Sequence, residues 1–221
     1  MTKITGIIYK TQEYKETSKL LFVYTNKGKV TLNARGSQRI NSNDRILSQY
    51  LNLIEFEYSV FKDFMNLYNG KLINDYKEIK NEYNNVKSVS LMLELIDKII
   101  IDNDNNEQIY NMLISALNSK NYKYVSLSFS LKLLYYLGYG LNLKPDNKNV
   151  TGISIVKGGL VYEGENYYND LDIKNSIDLL KLTHYKFNDL NKLNNIDIKE
   201  IESFIYKYYL DKMGLILKTL K

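Results

Sequence analysis

The arginines of this chain lie close together in a sequence that otherwise carries its positive charge on lysine. Lysine and arginine together number 30, and the arginines are Arg35, Arg39 and Arg45. A guanidinium is a planar fork that binds a phosphate through two hydrogen bonds and also stacks on bases, whereas an ammonium is a single point charge. The spacing therefore indicates a phosphate-binding segment. The competing interpretation is a solvated loop that contains three arginines by chance.

The net positive charge is confined to the first third of the chain. Residues 1–80 contain 13 lysines and arginines against 8 acidic residues, a net charge of +5, and residues 81–221 contain 17 of each. A local positive field attracts a polyanion, of which nucleic acid is the commonest. We predict that Lys27 and Lys29, which precede the arginines, extend the same DNA-binding groove.

Aromatic residues alternate with these cations. Single-stranded nucleic acid is bound by a basic groove together with rings on which its bases stack. Because strand alternation buries every second side chain, we expect more than half of these rings to lie in a core, with the tyrosines as the better candidates for exposure. The rings are Tyr9, Phe22, Tyr24, Phe56, Tyr58, Phe61, Phe64 and Tyr68.

The elements that must position these residues read as β-strands. Segments rich in β-branched and aromatic residues, or alternating in polarity, predict strands at residues 4–9, 19–25, 29–34, 53–60 and 65–75. A short helix is predicted at residues 44–50, between the third and fourth strands. Five strands with a helix in that position form the layout of an OB-fold barrel, which binds oligonucleotides across one face.

The hydrophobic period changes after residue 80. Apolar residues at helical spacing predict helices at residues 86–101, 107–117, 124–137, 173–182 and 197–217. The helix at 124–137 is apolar almost all round, so we expect it in the core of a bundle. The predicted fold is α+β: a five-stranded OB-fold barrel domain at residues 1–80, then a mainly α-helical domain at 81–221 with a loop and hairpin insertion at about 141–170.

Lys132 is the one cation between residues 127 and 140, a segment that also contains Tyr135 and Tyr139. Bundle core is one interpretation of this apolar segment. The other is a groove that binds an acidic, hydrophobic peptide, with these three residues as its partner-binding site.

Composition argues against catalysis. The chain has no cysteine, and His184 is its single histidine, so a thiol nucleophile, a thiolate metal site and a histidine pair are all excluded. Gly158-Gly159 lacks the lysine of a phosphate-binding loop and the third glycine of a dinucleotide fold. Apolar runs are too short for a membrane span. We expect a cytoplasmic, non-enzymatic protein without cofactor or metal.

Six short motifs follow one another along nearly the whole chain. They are Tyr14-Lys15-Glu16-Thr17-Ser18, Tyr24-Thr25-Asn26-Lys27-Gly28-Lys29, Ala34-Arg35-Gly36-Ser37 with Ser42, Leu93-Glu94-Leu95, Leu133-Leu134-Tyr135-Tyr136-Leu137-Gly138-Tyr139 and Gly158-Gly159-Leu160-Val161. Their order and spacing resemble the RecO family of bacterial recombination mediators in DNA repair.

The resemblance implies a protein that binds single- and double-stranded DNA at the nucleoid and anneals complementary strands. It also implies that the protein works with the partner RecR to load RecA onto DNA coated by single-strand-binding protein, and that it contacts the acidic tail of that coating protein. One alternative is a plain OB-fold protein that binds single-stranded DNA or RNA without a mediator role. Another is a scaffold protein whose basic barrel is incidental.

The chain departs from the family at two places. Many relatives carry two Cys-x-x-Cys pairs that bind zinc; here the first pair would fall near residues 145–148 and the second at Tyr162 and Glu165, so we predict no structural zinc. Some relatives place an arginine pair where this chain has Leu127-Ser128, which shifts the cation for tail binding to Lys132.

Overall fold

The computed structural model describes residues 1–101 and 106–221. These residues form two compact units. The barrel unit contains residues 1–86 and 93–111, and the helical unit contains residues 87–92 and 112–221. Within the described residues, no helix is long and apolar enough to cross a membrane.

Six strands and two single-turn helices lie within residues 1–86 of the barrel unit. They are β1 Thr2–Tyr14, β2 Ser18–Thr25, β3 Gly28–Ala34, α1 Asp44–Leu47, β4 Leu53–Tyr58, β5 Phe64–Asn66, β6 Lys71–Asn74 and α2 Lys77–Lys80. The strand order is β5-β3-β2-β1-β4-β6, with the β3–β5 pair parallel and the other pairs antiparallel. Because β5 and β6 are consecutive in the chain but lie at opposite ends of this order, residues 64–74 pair with both edges of the sheet. This is the arrangement of a five-stranded OB-fold barrel.

The fifth strand differs from its prediction. Residues 67–70 divide it into β5 and β6, and Asn69 in this break has a φ of 48°. The N–H of Leu67 donates to the carbonyl of Asn33 on β3 (3.1 Å), and the N–H of Glu57 on β4 donates to the carbonyl of Tyr68 (3.1 Å). The chain crosses from one sheet edge to the other at this point, which a single straight strand cannot do.

The inward side chains of the sheet form an apolar core. On β3, Val30 and Leu32 are buried, whereas Lys29 and Thr31, which alternate with them, are partly exposed. Burying each aliphatic side chain contributes roughly 1.5–3 kcal/mol, so alternation fixes which face of each strand points inward. The core residues are Ile4, Ile8, Leu21, Val23, Val30, Leu32, Ala34, Leu47, Ile54, Phe56 and Tyr58.

Five longer helices and a hairpin follow along the chain. They are α3 Tyr83–Ile99, α4 Glu107–Leu117, α5 Tyr122–Tyr136, β7 Val150–Ser154, β8 Gly159–Tyr162, α6 Ile173–His184 and α7 Ile198–Met213. All five predicted helices are present; a 3-10 turn at Phe187–Lys192 was not predicted. Because α3 contributes residues to both units, the proposed domain boundary at residues 81–85 stays a prediction.

Helix α5 is buried around its whole circumference, as predicted. Every residue from Val125 to Leu131 is buried, including three serines. A buried hydroxyl is costly unless it is hydrogen-bonded. Ser128 Oγ donates to the carbonyl of Leu182 (2.6 Å), and Ser130 Oγ donates to the carbonyl of Ser126 (2.8 Å). These serines are therefore structural.

The β7–β8 hairpin is held by charged and aromatic side chains. Lys157 Nζ contacts the Glu165 carboxylate and lies 4.7 Å from the centre of the Tyr162 ring. Lys148 Nζ lies 5.7 Å from the same ring centre. Among the described residues, no group of three or more His, Cys, Asp or Glu side chains is placed to hold a metal ion. The absence of zinc stays a prediction.

Candidate nucleic-acid interface

One face of the barrel sheet carries a lysine and two phenylalanine rings in one row. Strand pairing places Lys10 opposite Phe22, Phe22 opposite Thr31 and Thr31 opposite Phe64, which forms a row across β1, β2, β3 and β5. Lys10 Nζ lies 4.9 Å from the centre of the Phe22 ring, and Phe64 is 52% exposed. We call this row, together with the next one, the barrel face. The second row consists of Gln12, Leu20, Asn33 and Asn66.

A cleft of about 390 Å³ adjoins the barrel face at Asn33. It lies between the turn that joins β1 to β2 and the segment that follows β3. All of its charged residues are cations, namely Lys15, Arg35 and Arg39, and all three are exposed. We call it the arginine cleft; its lining is completed by Thr17, Ser18, Asn33 and Gly36.

Backbone hydrogen bonds fix the arginine segment. Gly36 has a φ of 69°, a conformation that strains other residues, and its carbonyl accepts from the N–H of Arg39 (3.0 Å). The N–H of Gln38 donates to the carbonyl of Thr17 (2.9 Å), and its side-chain Nε2 donates to the carbonyl of Ser18 (2.8 Å). The segment is thus tied to the β1–β2 turn, which leaves the two arginine side chains directed to solvent from a fixed support.

Two of the five predicted DNA-binding residues, Arg35 and Arg39, therefore share one cleft with Lys15. Arg45 is exposed on α1 and is not part of the lining of the arginine cleft. An exposed arginine outside the cleft can still bind a phosphate of a longer strand. Its role as a DNA contact stays a prediction.

Lys27 and Lys29 lie in two other clefts beside acidic residues. Lys27 Nζ donates to the hydroxyl of Tyr58 (2.7 Å), in a cleft that also contains Glu55. Lys29 Nζ donates to the carbonyl of Asp97 (2.8 Å), in a cleft that Asp63 and Asp97 also line. Nearby carboxylates weaken the attraction of both lysines for a phosphate. Their roles as DNA contacts stay predictions.

The exposure of the aromatic residues differs from the expectation that the tyrosines are the exposed rings. Tyr9, Tyr24 and Tyr58 are buried, so the preference for tyrosines as exposed rings is wrong for all but Tyr68, which is 55% exposed. Phe56 is also buried, and Phe61 packs against the core. More than half of the eight rings therefore belong to the core, as predicted.

Two cations of this surface were not predicted as contacts: Lys10 and Lys15. Strand register places Lys10 opposite Phe22 and in one row with Phe64, which a linear sequence does not display. Lys15 has a left-handed backbone, with a φ of 55°, in the β1–β2 turn. Its one sequence signal was its place in the Tyr14–Ser18 motif.

The helical unit brings together two of its three predicted peptide-binding residues. Lys132 and Tyr135 line a cleft of about 390 Å³, but Tyr139 does not line it. The remaining lining residues are Met112, Tyr136, Thr183 and His184, and of these Tyr136 is 50% exposed and was not predicted. Leu127 and Ser128 are buried, so neither position presents a surface side chain.

The Lys132 ammonium already has partners inside the helical unit. It contacts the carbonyl of Tyr185 and lies 4.3 Å from the centre of the Phe187 ring. Burial lowers the pKa of Lys132 to about 8, because desolvation disfavours the charged form. A carboxylate that binds here must share the ammonium with the carbonyl of Tyr185.

Comparison with known proteins matches both parts of the chain to one kind of protein. Residues 1–76 match the family described as "Recombination protein O N terminal", and residues 81–150 match "Recombination protein O C terminal". The chain is 28% identical to the DNA repair protein RecO of Oceanobacillus iheyensis, with 100% of this chain and 92% of that protein covered. It is 25% identical to the RecO of Bacillus mycoides, over 98% of this chain and 94% of the relative. With the RecO of Clostridium perfringens the identity is 33%, over 62% of this chain and 58% of the relative.

Proposed function

The chain belongs to the recombination protein O family, and from this premise we propose that it is a DNA-binding protein of recombinational repair that anneals complementary strands. The observation that supports this most is the arginine cleft beside the barrel face. Cations and exposed rings share one surface there, which is the combination that binds single-stranded nucleic acid. The cleft lining contains neither a carboxylate nor a histidine, so we propose action by binding and not by catalysis.

Annealing follows physically from this arrangement. Contacts to phosphates position a strand without occupying the edges of its bases, so a bound strand can still pair with its complement. Lys and Arg side chains also neutralise phosphates and release their counterions, which reduces the repulsion between two approaching strands. Binding of this kind depends little on sequence, as a repair protein that acts at many sites requires.

The proposed partners are RecR and single-strand-binding protein. We propose that the chain works with RecR to load RecA onto DNA coated by single-strand-binding protein. The acidic tail of the coating protein is proposed to bind the cleft that contains Lys132 and Tyr135, where an aromatic end of the tail meets the exposed ring of Tyr136. The names of the relatives and the apolar character of this cleft support the proposal.

Strand annealing tests the central part of this function. The full-length chain should accelerate the annealing of two complementary oligonucleotides. The double variant Arg35→Gln, Arg39→Gln should lose most of that acceleration, and Lys207→Gln, which removes one exposed charge of the helical unit, should retain it. A plain single-strand-binding barrel would coat the strands and slow their annealing, so a slower rate would contradict the proposal.

Peptide titration tests the partner site. A labelled acidic peptide that ends in phenylalanine should bind the full-length chain, and Lys132→Glu should abolish binding because it places a like charge in the cleft. Lys207→Glu provides the matched charge reversal outside the cleft. Absence of binding to the unaltered chain at high micromolar concentration would eliminate this site and leave the annealing function untouched.

A further inference from the structure

We propose that the arginine cleft binds the terminal phosphate of a DNA strand, a phosphomonoester, in preference to the phosphodiesters inside the strand. This presupposes the DNA binding proposed above and assigns to the cleft one chemical group of the DNA. Three features of the cleft favour this group: its charge, the number of its cations and the hydrogen bonds that join the arginine segment to the β1–β2 turn.

The charge of the arginine cleft is not compensated within its own lining. Two other clefts of the barrel unit contain lysine beside acidic residues, and the arginine cleft differs from both. In the cleft of about 250 Å³, Lys10 and Lys29 lie beside Asp63 and Asp97. In the cleft of about 270 Å³, the lining residues Lys3 and Lys27 share the space with Glu55, and Lys3 pairs with it at 3.5 Å. The arginine cleft has three cations and no carboxylate, so it is the one that favours a multiply charged anion.

The number of cations matches a terminal phosphate better than an internal one. A phosphomonoester carries a charge of roughly −1.5 to −2 at neutral pH and offers three strong acceptor oxygens. A phosphodiester carries a single negative charge and has two oxygens outside its ester bonds. Two guanidinium forks and one ammonium supply enough donors to contact all three oxygens of the monoester, with the hydroxyl of Thr17 as a neutral donor in the same lining.

The two segments that line the cleft are joined to each other by hydrogen bonds. The hydrogen bonds from Gln38 to the carbonyls of Thr17 and Ser18 join the arginine segment to the β1–β2 turn. A weaker bond, from the N–H of Gly36 to Ser18 Oγ (3.4 Å), joins the same two segments. A nucleic acid cannot pass between these joined segments. The proposal therefore places in the cleft the end of a strand that runs along the barrel face towards Asn33.

In this site the strand lies along the barrel face and enters the arginine cleft with its end. Bases stack on Phe22 and Phe64 of the barrel face, and the terminal phosphate occupies the cleft beyond Asn33. Such a site positions the end of a strand, which an interface that binds only internal phosphates does not. A volume of about 390 Å³ lies within the range of small-ligand sites, so the terminal sugar can enter with its phosphate.

Binding to three forms of one short thymidine oligonucleotide tests this site. The full-length chain is titrated with the form that ends in hydroxyls, the form with a 5′-phosphate and the form with a 3′-phosphate, at physiological ionic strength. We expect at least one phosphorylated form to bind about tenfold more tightly than the hydroxyl form, since a charge-assisted contact is worth roughly this factor. The two phosphorylated forms identify which end of the strand the cleft receives.

Single variants connect the preference to the cleft. Lys15→Gln and Arg39→Gln, made separately, should each remove most of the preference. Arg45→Gln should weaken the binding of all three forms alike, and the control Lys207→Gln should keep the full preference. Because both cleft side chains are exposed, each variant should unfold at the temperature of the unaltered chain.

Two results would overturn the proposal while the DNA-binding function stands. One is equal affinity for all three oligonucleotides; the other is a preference that survives in both cleft variants, which would place terminal recognition elsewhere. If none of the oligonucleotides binds even at low salt, the proposed function and the terminal site both fail. If the hydroxyl form binds tightly and the phosphorylated forms bind no better, the terminal site fails while the DNA-binding function stands.

Discussion

The arginine cleft and the lysines of the helical unit use positive charge in opposite ways. In the cleft, Lys15, Arg35 and Arg39 line one space without a carboxylate. In the helical unit, several lysines pair with an acidic side chain, such as Lys157 with Glu165 and Lys192 with Asp189 at 2.7 Å. Paired surface charges cancel at a distance and contribute little stability, so they neither attract DNA nor hold the fold strongly. The comparison indicates that the grouping of several cations in one space without a carboxylate, and not the total number of cations, makes a phosphate-binding surface.

The two regions also differ in what their aromatic residues do. Phe129 on α5 is fully buried, whereas Phe64 on the barrel face is 52% exposed. We expect Phe129→Ala to lower the free energy of unfolding by about 3–5 kcal/mol, because it leaves a cavity in the bundle core. Phe64→Ala should lower it by less than about 1 kcal/mol, as most exposed substitutions do. Denaturant unfolding of both variants measures this difference, and equal losses would break the distinction between a structural and a functional ring.

DNA binding, unlike stability, should depend on the rings of the barrel face and not on the buried ring of Phe129. Phe22→Ala and Phe64→Ala should each weaken single-stranded DNA binding by about 1–3 kcal/mol, the usual contribution of a ring on which a base stacks. Neither change removes a charge, so the salt dependence of binding should be unaltered. Tyr83→Ala serves as the control, since Tyr83 is 80% exposed on α3 and lies outside the barrel face. A similar loss with Tyr83→Ala would mean that the barrel face has no special role.

The smallest expected effect concerns the pH dependence of stability at Lys132. Burial lowers the pKa of Lys132 from its usual 10.5 to about 8 in the folded chain. Between these values the unfolded chain binds more protons, so stability from this residue rises as the pH increases from about 8. Burial also raises the pKa of Tyr208 from 10.0 to about 12, and this acts in the opposite direction above pH 10. The rise is therefore confined to about pH 8–10.

We expect this rise to be below about 1 kcal/mol, because the ammonium is partly solvated. Lys132→Met, which keeps the apolar stem, should abolish it, and thermal unfolding across this pH range measures both proteins. Binding of an acidic peptide should weaken over the same range as the ammonium loses its charge. A peptide affinity that is constant from pH 7 to about pH 9.5 would show that Lys132 does not contact the acidic groups.

The sequence was sufficient for the elements but not for the surface that they form. Alternating polarity marks the first half of β1 and β2 to β4 in the chain, and apolar patterns mark the helices after residue 80. The second half of β1, at residues 10–14, lies beyond the predicted strand at 4–9. The barrel face depends on pairing between distant strands, and the β1–β2 register shifts between Ile8 and Lys10. A bulge of this kind reverses which side each later residue faces. Tyr9 is consequently buried and Lys10 points outward, which strand alternation alone does not reveal.

The sequence predicted only part of the arginine cleft, because the other part depends on contacts between distant segments. The clustering of Arg35 and Arg39 is a local property of the chain and was visible in the sequence. The participation of Lys15 depends on the Gln38 hydrogen bonds that draw the β1–β2 turn towards the arginine segment. The acidic neighbours of Lys27 and Lys29 are likewise set by tertiary structure, since Asp97 is 68 residues distant from Lys29 in the chain.

The salt dependence of DNA binding tests most directly whether the barrel unit carries the phosphate contacts. Two triple variants remove the same charge: Arg35, Arg39 and Arg45 to glutamine, and Lys120, Lys174 and Lys207 of the helical unit to glutamine. Each lost phosphate contact reduces the slope of log affinity against log salt by about 0.7 for single-stranded DNA. We predict a slope smaller by about 2 for the arginine variant and an unchanged slope for the lysine variant. Equal reductions in both variants would contradict the account.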